Sequence, residues 1–357
     1  MRAVFDALRA HAQTRPDATA IREGERSITW SELAASVARA AAGFAAGPPT
    51  VGLRLSGIDY AIADLGASLA GRRVVPVPGF FSDSQIAHLI EDAGARLITT
   101  LPAGDRPMAL DYAGGASRVI YTSGTTGRPK GVVLGDRQIA ASLAGLMAAL
   151  RPHPGDRYLS VLPQAQLLEQ VCGLFLPVLA GAPTIISREG AASLFTGDGR
   201  GLALAAARSE ATVTVLAPRQ LTLWVAELRR GAPLPKSLRY VAVGGAPVAP
   251  ALLAEARALG LPVAEGYGLS EACSVVALTP AGASAGSAMQ VLDGVDLWIE
   301  DGEIVVDGPT VMQAYLHRND QVGPWRTGDL GRMRDGRIEV LGRRDAMRSE
   351  EHTSELQ

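Results

Sequence analysis

Short β-rich runs alternate with alanine-rich helical segments up to about residue 284, and this alternation constrains the fold more than any other feature. Helical patterns occur at Ala61–Ala70, Gly201–Arg208 and Ala249–Leu259. The β-rich runs between such segments are Val51–Leu55, Val74–Val77, Tyr158–Leu162, Thr184–Ile186, Thr212–Leu216 and Tyr240–Val243. Strands separated by helices are typical of βαβ units. The sequence therefore predicts an α/β fold with mainly parallel sheets.

From about residue 285 the pattern changes to short strands joined by Asp-Gly turns. These strands are predicted at Leu297–Glu300, Glu303–Val306 and Arg337–Val340. Because Asp-Gly favours tight hairpins, we expect an antiparallel, barrel-like module at about 285–341, after two α/β subdomains at about 1–284. A chain of 357 residues is also longer than one hydrophobic core usually supports.

Composition places the chain among globular proteins. Hydrophobic residues make up 47% and charged residues 20%, and the net charge of −2 gives no basic surface for nucleic acid. Cys172 and Cys273 lack the number and spacing of a disulfide framework or metal site, so we expect both to be buried. The segment Met1–Asp6 has no signal-peptide core, and no apolar run is long and continuous enough to cross a bilayer. We therefore expect a cytoplasmic protein.

Residues Tyr121–Val132 combine hydroxyl side chains, glycines and a lysine directly after an apolar run. Glycines let backbone N–H groups converge on an anion, and Lys130 adds a mobile charge that suits phosphate oxygens. The order differs from a P-loop, because Pro129 precedes the lysine, and no G-x-G-x-x-G spacing is present. The segment predicts a phosphate-binding loop. Its candidate residues are Thr122, Ser123, Gly124, Thr125, Thr126, Gly127 and Lys130.

The same twelve residues resemble, almost position for position, the signature loop of the AMP-forming acyl, aryl and amino-acid synthetases, the adenylate-forming (AMP-binding) superfamily. Further segments follow in the order that this superfamily would require, so that the resemblance covers essentially residues 1–347. It implies the N-terminal part of an adenylate-forming enzyme, with two α/β subdomains and a small β-barrel. In character the chain is closest to the long-chain fatty acyl-CoA ligases.

Two segments resemble the adenine- and metal-binding motifs of this superfamily. In the first, Val243–Pro247, the glycines would expose backbone groups to the adenine. In the second, Tyr267 offers an aromatic face for adenine, and Glu271 offers a hard oxygen ligand for Mg²⁺. Each segment alone also suits an ordinary turn, with Ser270 as a helix cap; the family usually has threonine there, and serine keeps the hydroxyl. The candidate nucleotide-binding residues are Gly245, Ala246, Pro247, Gly266, Tyr267, Gly268 and Ser270.

Two later segments resemble the ribose-binding turn and the start of the interdomain hinge. In Trp325–Gly331, Asp329 would accept hydrogen bonds from both ribose hydroxyls. A solvated aspartate in a tight turn is the ordinary alternative. In the segment at 342–347, the resemblance implies that Arg343 contacts phosphate or ribose and that Asp345 is the pivot of the hinge.

The segment Leu162–Glu169 resembles the motif beside the acyl pocket. Gln166 and Leu167 are candidate pocket residues together with Gly244. Many family members carry a histidine where Gln166 stands, so a role for a pocket histidine is in doubt here. The Phe-Asp-x-Ser setting of the amino-acid-activating branch is absent, and Val275–Leu278 is apolar. These features favour an aliphatic acid of medium or long chain over an aromatic one.

The resemblance implies a two-step reaction. The substrate carboxylate attacks the α-phosphorus of ATP and releases pyrophosphate, and the acyl-adenylate then reacts with the thiol of CoA or of a carrier protein's phosphopantetheine. Lys130 and Glu271, the latter through Mg²⁺, are the candidate catalytic residues, because both would offset charge on the phosphates.

Three alternatives are open. An acyl-AMP ligase would load an acyl carrier protein instead of CoA. An α/β-hydrolase would use Ser270 as nucleophile, although Gly268–Ala272 departs from G-x-S-x-G and no histidine partner is evident. A non-catalytic nucleotide-binding protein would show no acid-dependent pyrophosphate release.

Residues 348–357 differ from the rest of the chain, since they contain neither alanine nor glycine. They resemble the translation of a sequencing-adapter oligonucleotide, and a natural polar tail is the alternative. The family's smaller C-terminal domain, which carries a second lysine for adenylation and rotates to form the thiol-transfer site, would then be missing. We therefore expect the chain as written to bind ATP but to adenylate slowly, because losing one charge donor costs roughly 10²–10³ in rate.

Overall fold

The computed structural model of the chain describes residues 1–122, 129–280, 282–283, 288–318 and 323–345. Within these ranges the strands form three sheets, of nine, six and four strands. Parallel pairing dominates the two larger sheets, and the smallest sheet is antiparallel. The predicted α/β class with mainly parallel sheets is confirmed.

The strands are numbered here in chain order. They are β1 (Thr19–Glu23), β2 (Arg26–Thr29), β3 (Thr50–Leu53), β4 (Arg73–Pro76), β5 (Arg96–Ile98), β6 (Ser117–Thr122), β7 (Lys130–Gly135), β8 (Tyr158–Ser160), β9 (Thr184–Ile186), β10 (Val213–Leu216), β11 (Tyr240–Val243), β12 (Val263–Leu269), β13 (Ser274–Leu278), β14 (Gln290–Val291), β15 (Asp296–Glu300), β16 (Glu303–Asp307), β17 (Ala314–Tyr315), β18 (Trp325–Arg334) and β19 (Arg337–Arg343).

The helices surround and separate these sheets. They are α1 (Arg2–Thr14), α2 (Trp30–Ala45), α3 (Gly57–Leu69), α4 (Asp83–Asp92), α5 (Asp136–Leu150), α6 (Leu167–Glu169), α7 (Leu176–Ala180), α8 (Arg188–Thr196), α9 (Gly199–Ser209), α10 (Pro218–Arg229) and α11 (Pro250–Ala258), with a π-helix at Gln170–Phe175 and a 3₁₀ turn at Ser270–Ala272. None of the helices in the described part of the chain has both the length and the apolar character of a membrane crossing.

Local sequence explains where several helices begin. Thr29 starts α2 with a capping box, in which its hydroxyl accepts from the Glu32 amide while the Glu32 carboxylate accepts from the Thr29 amide. Ser82 and Gln85 form the same arrangement at the start of α4.

The nine-stranded sheet has the order β14-β13-β12-β11-β10-β8-β9-β1-β2. Its strands from β12 to β1 are parallel, and antiparallel strands lie at both ends. The six-stranded sheet has the order β17-β7-β6-β4-β3-β5, in which β5, β3, β4 and β6 are parallel. The carboxyl ends of parallel strands in both sheets therefore provide the edges at which a ligand site is expected.

The smallest sheet pairs β15, β16, β18 and β19 in that order, all antiparallel. Met289 forms an isolated bridge with Ile338 and ties this sheet to the segment before β14. The turn predicted at Trp325–Gly331 is wrong, because the segment belongs to the ten-residue strand β18. Gly328, with φ of +75°, and a register shift at Leu330/Gly331 bend the strand locally. The predicted domain boundaries stay predictions.

A buried ion pair holds β6 against α3. Both side chains are almost fully buried, and the two guanidinium nitrogens of Arg118 lie 3.0 and 3.2 Å from the carboxylate of Asp64. The guanidinium also lies over the ring of Phe175, 4.8 Å from its centre. Removing one partner of such a pair leaves an uncompensated buried charge. The pair therefore fixes the strand that leads into the predicted phosphate loop.

Candidate active site

A cavity of about 730 Å³ lies where the carboxyl ends of strands from the two larger sheets meet. Pro76 and Thr122 end β4 and β6 on one side, and Ala217, Gly244 and Ser270 follow β10, β11 and β12 on the other. Ligands of parallel α/β sheets bind at this edge. The cavity is lined mainly by apolar side chains, and Gly244, Gly245, Gly266 and Gly268 form a glycine-rich part of its wall.

Most of the predicted site residues that the structure describes line this cavity. They are Thr122, Gln166, Leu167, Gly244, Gly245, Ala246, Gly266, Tyr267, Gly268 and Ser270. Lys130, Pro247, Glu271, Asp329 and Arg343 are not among the lining residues. The remaining candidates at 123–127, together with residues 346–357, lie outside the described residues, and Asp345 follows β19.

The glycine-rich wall needs glycine at two positions, one for its backbone conformation and one for the close contact between neighbouring strands. Gly245 has a φ of +84°, a conformation that side-chain-bearing residues rarely adopt. A Cβ on Gly268 would lie 1.8 Å from the Ser274 carbonyl oxygen, so β12 and β13 could not pair there with any other residue. Backbone geometry therefore requires glycine at these positions of the predicted nucleotide-binding wall.

Three predicted residues from different elements come together at the edge of the cavity. Tyr267 donates its hydroxyl proton to Asp329 Oδ2 at 2.8 Å. Arg343 donates to Asp329 Oδ1 at 3.1 Å and also to the Thr327 carbonyl oxygen. Burial is the main cause that raises the pKa of the Tyr267 hydroxyl, and the Asp329 carboxylate adds to it. The candidate adenine, ribose and hinge residues therefore form one hydrogen-bonded chain.

The candidate lysine and the candidate metal ligand are joined through a residue that the sequence reasoning missed. Thr122 pairs with Lys130 where β6 and β7 flank the predicted phosphate loop. The Lys130 ammonium lies 5.6 Å from the ring centre of Tyr315, within the range of a cation–π contact. Tyr315 in turn donates to Glu271 Oε1 at 2.9 Å. Burial, and then the charge of Glu271, raise the pKa of the Tyr315 hydroxyl.

Glu271 fits a Mg²⁺ ion that is carried mainly by phosphate. It is half-buried on the 3₁₀ turn after β12, and one of its oxygens is held by Tyr315. The described residues contain no cluster of three or more metal-ligating side chains. Mg²⁺ is commonly held by one or two carboxylates together with substrate phosphates and water. A single oriented carboxylate beside a phosphate loop suits this mode.

Ser274 was also missed by the sequence reasoning. It lines the cavity at 7% exposure, with a strained φ of +86°. Its hydroxyl has no hydrogen-bond partner among the described residues. Buried polar atoms are normally paired, so an orphaned hydroxyl in a cavity wall suggests a contact with a ligand. The sequence signal was faint, since only proximity to the motif ending at Glu271 marked it.

Two further hydroxyls of the wall are paired with carboxyl groups behind it. Tyr121 donates to Asp92 Oδ2 at 2.6 Å, and Tyr158 donates to Glu169 Oε2 at 3.0 Å. Glu169 is 2% exposed, and burial raises the pKa of its carboxyl group to about 8. Cys172 also lines the cavity, and burial raises the pKa of its thiol to about 12, so this thiol is not a nucleophile.

The described lining residues include no histidine. Ser270 lies on the 3₁₀ turn after β12 without a histidine base on this wall, which argues against the hydrolase alternative.

Comparison with protein families gives a match over most of the chain. A family described as AMP-binding enzyme matches residues 8–118 and 113–316.

Curated relatives include CoA ligases of aromatic acids. The chain is 28% identical to a 2-succinylbenzoate–CoA ligase of Bacillus licheniformis, over 94% of this chain and 79% of that enzyme. It is 33% identical to the enzyme of the same name from Bacillus velezensis, over 68% of this chain and 52% of that enzyme. An indoleacetate–CoA ligase of Aromatoleum aromaticum is 29% identical, over 94% of this chain and 78% of that enzyme.

Solved structures share the fold. O-succinylbenzoate coenzyme A synthetase from Bacillus subtilis, in complex with AMP, superposes with a TM-score of 0.82 at 26% identity, over 95% of this chain and 78% of that one. The N-terminal domain of FACL13 from Mycobacterium tuberculosis superposes with a TM-score of 0.83 at 20% identity, over 96% of this chain and all of that one. The predicted architecture of an adenylate-forming N-terminal domain is confirmed.

Proposed function

The chain belongs to the AMP-binding enzyme family, and we propose that it activates an aryl carboxylic acid as the acyl-adenylate and passes the acyl group to CoA. The enzyme class, an AMP-forming acid–thiol ligase, follows from the family and from the CoA ligases among its relatives. The observation that carries the proposal is the 730 Å³ cavity, which joins a glycine-rich wall suited to a nucleotide with an apolar chamber suited to an acid.

In the first step the acid's carboxylate oxygen attacks the α-phosphorus of ATP, and the bond to the pyrophosphate oxygen breaks. Tyr267 and the backbone at Gly245 would bind the adenine, and Asp329 would accept hydrogen bonds from the ribose hydroxyls. Lys130, beside the end of the phosphate loop, would offset charge on the phosphates. Glu271 would hold the Mg²⁺ that accompanies ATP and lowers the charge repelling the carboxylate.

In the second step the sulfur of CoA attacks the carbonyl carbon of the acyl-adenylate, AMP leaves, and the thiol proton passes to solvent. No covalent intermediate on the protein is needed. The names of the CoA-ligase relatives support CoA as acceptor. A carrier-protein phosphopantetheine has the same reactive thiol and is the alternative to be tested beside it.

An aromatic acid replaces the aliphatic acid that the sequence favoured. The relatives named above act, by their names, on 2-succinylbenzoate and indoleacetate, and none of these is a fatty acid. The chamber supports a flat substrate, because Phe80, Phe81, Tyr158 and Tyr240 contribute aromatic surface to its lining. Aromatic rings gain from packing against one another beyond the area that they bury.

The test measures pyrophosphate released from ATP in the presence of Mg²⁺ and one acid at a time, from a panel of aryl and alkyl acids. We expect release to depend on the acid and to be fastest with aryl acids. CoA or holo-carrier protein is then added, and the thioester is identified by mass spectrometry. Pyrophosphate release that no acid stimulates would contradict the proposal, and preferential use of alkyl acids would return the substrate to the aliphatic class.

A further inference from the structure

We infer that the acid carries one carboxylate only, the one that is activated, and that the rest of the molecule is uncharged. This inference rests on the proposed function and narrows its substrate. It excludes dicarboxylates such as 2-succinylbenzoate, on which the two Bacillus relatives named above act by name.

The first support is the composition of the cavity wall. None of the described residues that line it is a lysine, arginine, histidine, aspartate or glutamate. The chamber beyond the nucleotide wall is formed by aliphatic and aromatic side chains and a few neutral polar ones. Its apolar members include Leu146, Leu150, Leu162, Leu168, Val213 and Leu278. Among the described residues of this wall, a second carboxylate would find no cation to pair with.

The second support is the direction of the tyrosine hydroxyls in the wall. Tyr121, Tyr158 and Tyr267 donate their protons to Asp92, Glu169 and Asp329. Tyr240 donates to the Thr279 carbonyl oxygen. Each of these four protons is therefore committed to an acceptor of the protein. A carboxylate needs donors, and these tyrosines have none left to offer.

The third support is the charge around the cavity. The acceptors of Tyr121 and Tyr267 are aspartates that have partners of their own, since His317 lies 3.4 Å from Asp92 and Arg343 lies 3.1 Å from Asp329. Arg118, a buried cation that packs on Phe175 of the π-helix, is already paired with Asp64. Lys130 faces the ring of Tyr315 and is not among the lining residues. Each of these cationic side chains, in the described part of the chain, already contacts a group of the protein and is not free to pair with a second carboxylate.

These conditions make a second carboxylate costly. An ionised carboxylate that leaves water without a partner loses its hydration and gains nothing in return. Even partial burial should weaken binding at least about 100-fold relative to a ligand that lacks the charge. The unpaired hydroxyl of Ser274 can donate one hydrogen bond, which can satisfy a neutral polar group but offsets little of the hydration that a carboxylate loses.

The experiment compares two stable acyl-adenylate mimics that differ only by the second charge. One is the acyl-sulfamoyl-adenosine of 4-oxo-4-phenylbutyrate, and the other is that of 2-succinylbenzoate joined through its succinyl carboxylate. Both are titrated calorimetrically into the 357-residue chain. We expect the mimic made from 4-oxo-4-phenylbutyrate, which lacks the second carboxylate, to bind at least 100-fold more tightly. Equal binding, or tighter binding of the charged mimic, would overturn the inference and leave the proposed function standing. Failure of both mimics to bind would overturn the function and the inference together.

A variant that adds a cation to the chamber tests whether the missing positive charge is what excludes a second carboxylate. Leu168 lines the chamber and is only half-buried, so a longer cation can be placed there. Leu168→Arg should move the preference at least 10-fold toward the charged mimic, while Leu168→Met, similar in length but neutral, should keep the wild-type preference. Melting temperatures of both variants establish that they are folded. An unchanged preference in a folded Leu168→Arg variant would count against the inference.

Discussion

Tyr315 Oη donates a hydrogen bond of 2.9 Å to Glu271 Oε1 and thereby fixes the candidate metal ligand relative to the phosphate loop. β17 pairs with β7, placing Tyr315 opposite Val132, two residues beyond Lys130. The Lys130 ammonium lies over the same aromatic ring. A single side chain thus touches the two groups that would share the charge of the ATP phosphates.

Replacing Tyr315 by phenylalanine should weaken Mg²⁺-dependent ATP binding. The ring beside Lys130 stays, but Glu271 loses the donor that orients it. Partners that orient a metal ligand contribute about 10- to 100-fold to metal affinity, and we expect a loss near the lower end because Glu271 is only half-buried. Calorimetric titration with ATP, with and without Mg²⁺, separates this effect from a general loss of nucleotide binding.

The matched control is Tyr112→Phe, which removes a tyrosine–aspartate hydrogen bond to Asp136 outside the cavity. It should leave the Mg²⁺ dependence of ATP binding as in the wild type. If Tyr315→Phe also left that dependence unchanged, Tyr315 would have a purely structural role.

Asp329→Asn should reduce ATP affinity about 10- to 100-fold, because a charged acceptor for the ribose hydroxyls is lost. The change should also remove discrimination by the ribose, so the preference for ATP over 2′-deoxyATP would shrink in the variant. Dissociation constants for both nucleotides provide the measurement. Asp335→Asn, at the exposed turn between β18 and β19, is the control. Full retention of the ribose preference in Asp329→Asn would rule out the ribose contact.

Much of the fold could be predicted because it depends on local patterns. Apolar runs marked strands such as β8 and β10. The order of strands could not be predicted in this way. β1 and β2 join the nine-stranded sheet, where β1 pairs with β9, although β3, β4 and β5 follow them in the other sheet. Such pairing depends on contacts between segments more than 150 residues apart, which no local pattern encodes.

The same distinction between local patterns and long-range pairing applies to the residues of the site. Gly245, Tyr267 and Glu271 lie in compact motifs whose chemistry is visible in the residues themselves. Tyr315 and Ser274 carry no motif, because their importance arises only from the pairing of β17 with β7 and of β13 with β12. The strand at Trp325–Gly331 was taken for a turn because the segment resembles the ribose-binding turn of the superfamily, but pairing on both sides keeps the backbone extended.

Ser274→Ala should weaken binding of an acyl-adenylate mimic about 3- to 10-fold without lowering stability. The hydroxyl has no partner among the described residues, so its removal leaves no acceptor unsatisfied and could raise the free energy of unfolding by up to about 1 kcal/mol. Calorimetric titration gives the affinity for the mimic, and urea unfolding gives the free energy of unfolding.

Ser193→Ala is the contrasting control, since that buried hydroxyl donates to the Gly190 carbonyl oxygen. It should destabilise the protein and leave mimic binding unchanged. Unaltered binding by Ser274→Ala would exclude the ligand contact.

The buried carboxyl group of Glu169 should make stability depend on pH. Burial raises its pKa from 4.5 in the unfolded chain to about 8 in the folded protein. The folded state therefore retains a proton that the unfolded state releases between these values, and the free energy of unfolding should fall as pH rises through this window. The contribution is fully present below pH 4.5, and it declines by about 1.4 kcal/mol per pH unit until it is lost near pH 8.

Glu169→Gln isolates this contribution, because glutamine imitates the protonated form at every pH and the other titrating groups are shared. Urea unfolding of both proteins at several pH values from 5 to 7.5 gives the difference in free energy of unfolding. We expect the wild type to lose stability relative to the variant across this range, with the slope stated above. The hydrogen bond from Tyr158 to Glu169 Oε2 can be kept by the amide oxygen of glutamine, so the variant preserves the contact behind the cavity wall. Parallel stability curves for the two proteins would mean that Glu169 is ionised in the folded state, and the cavity would then have a third carboxylate behind its tyrosines.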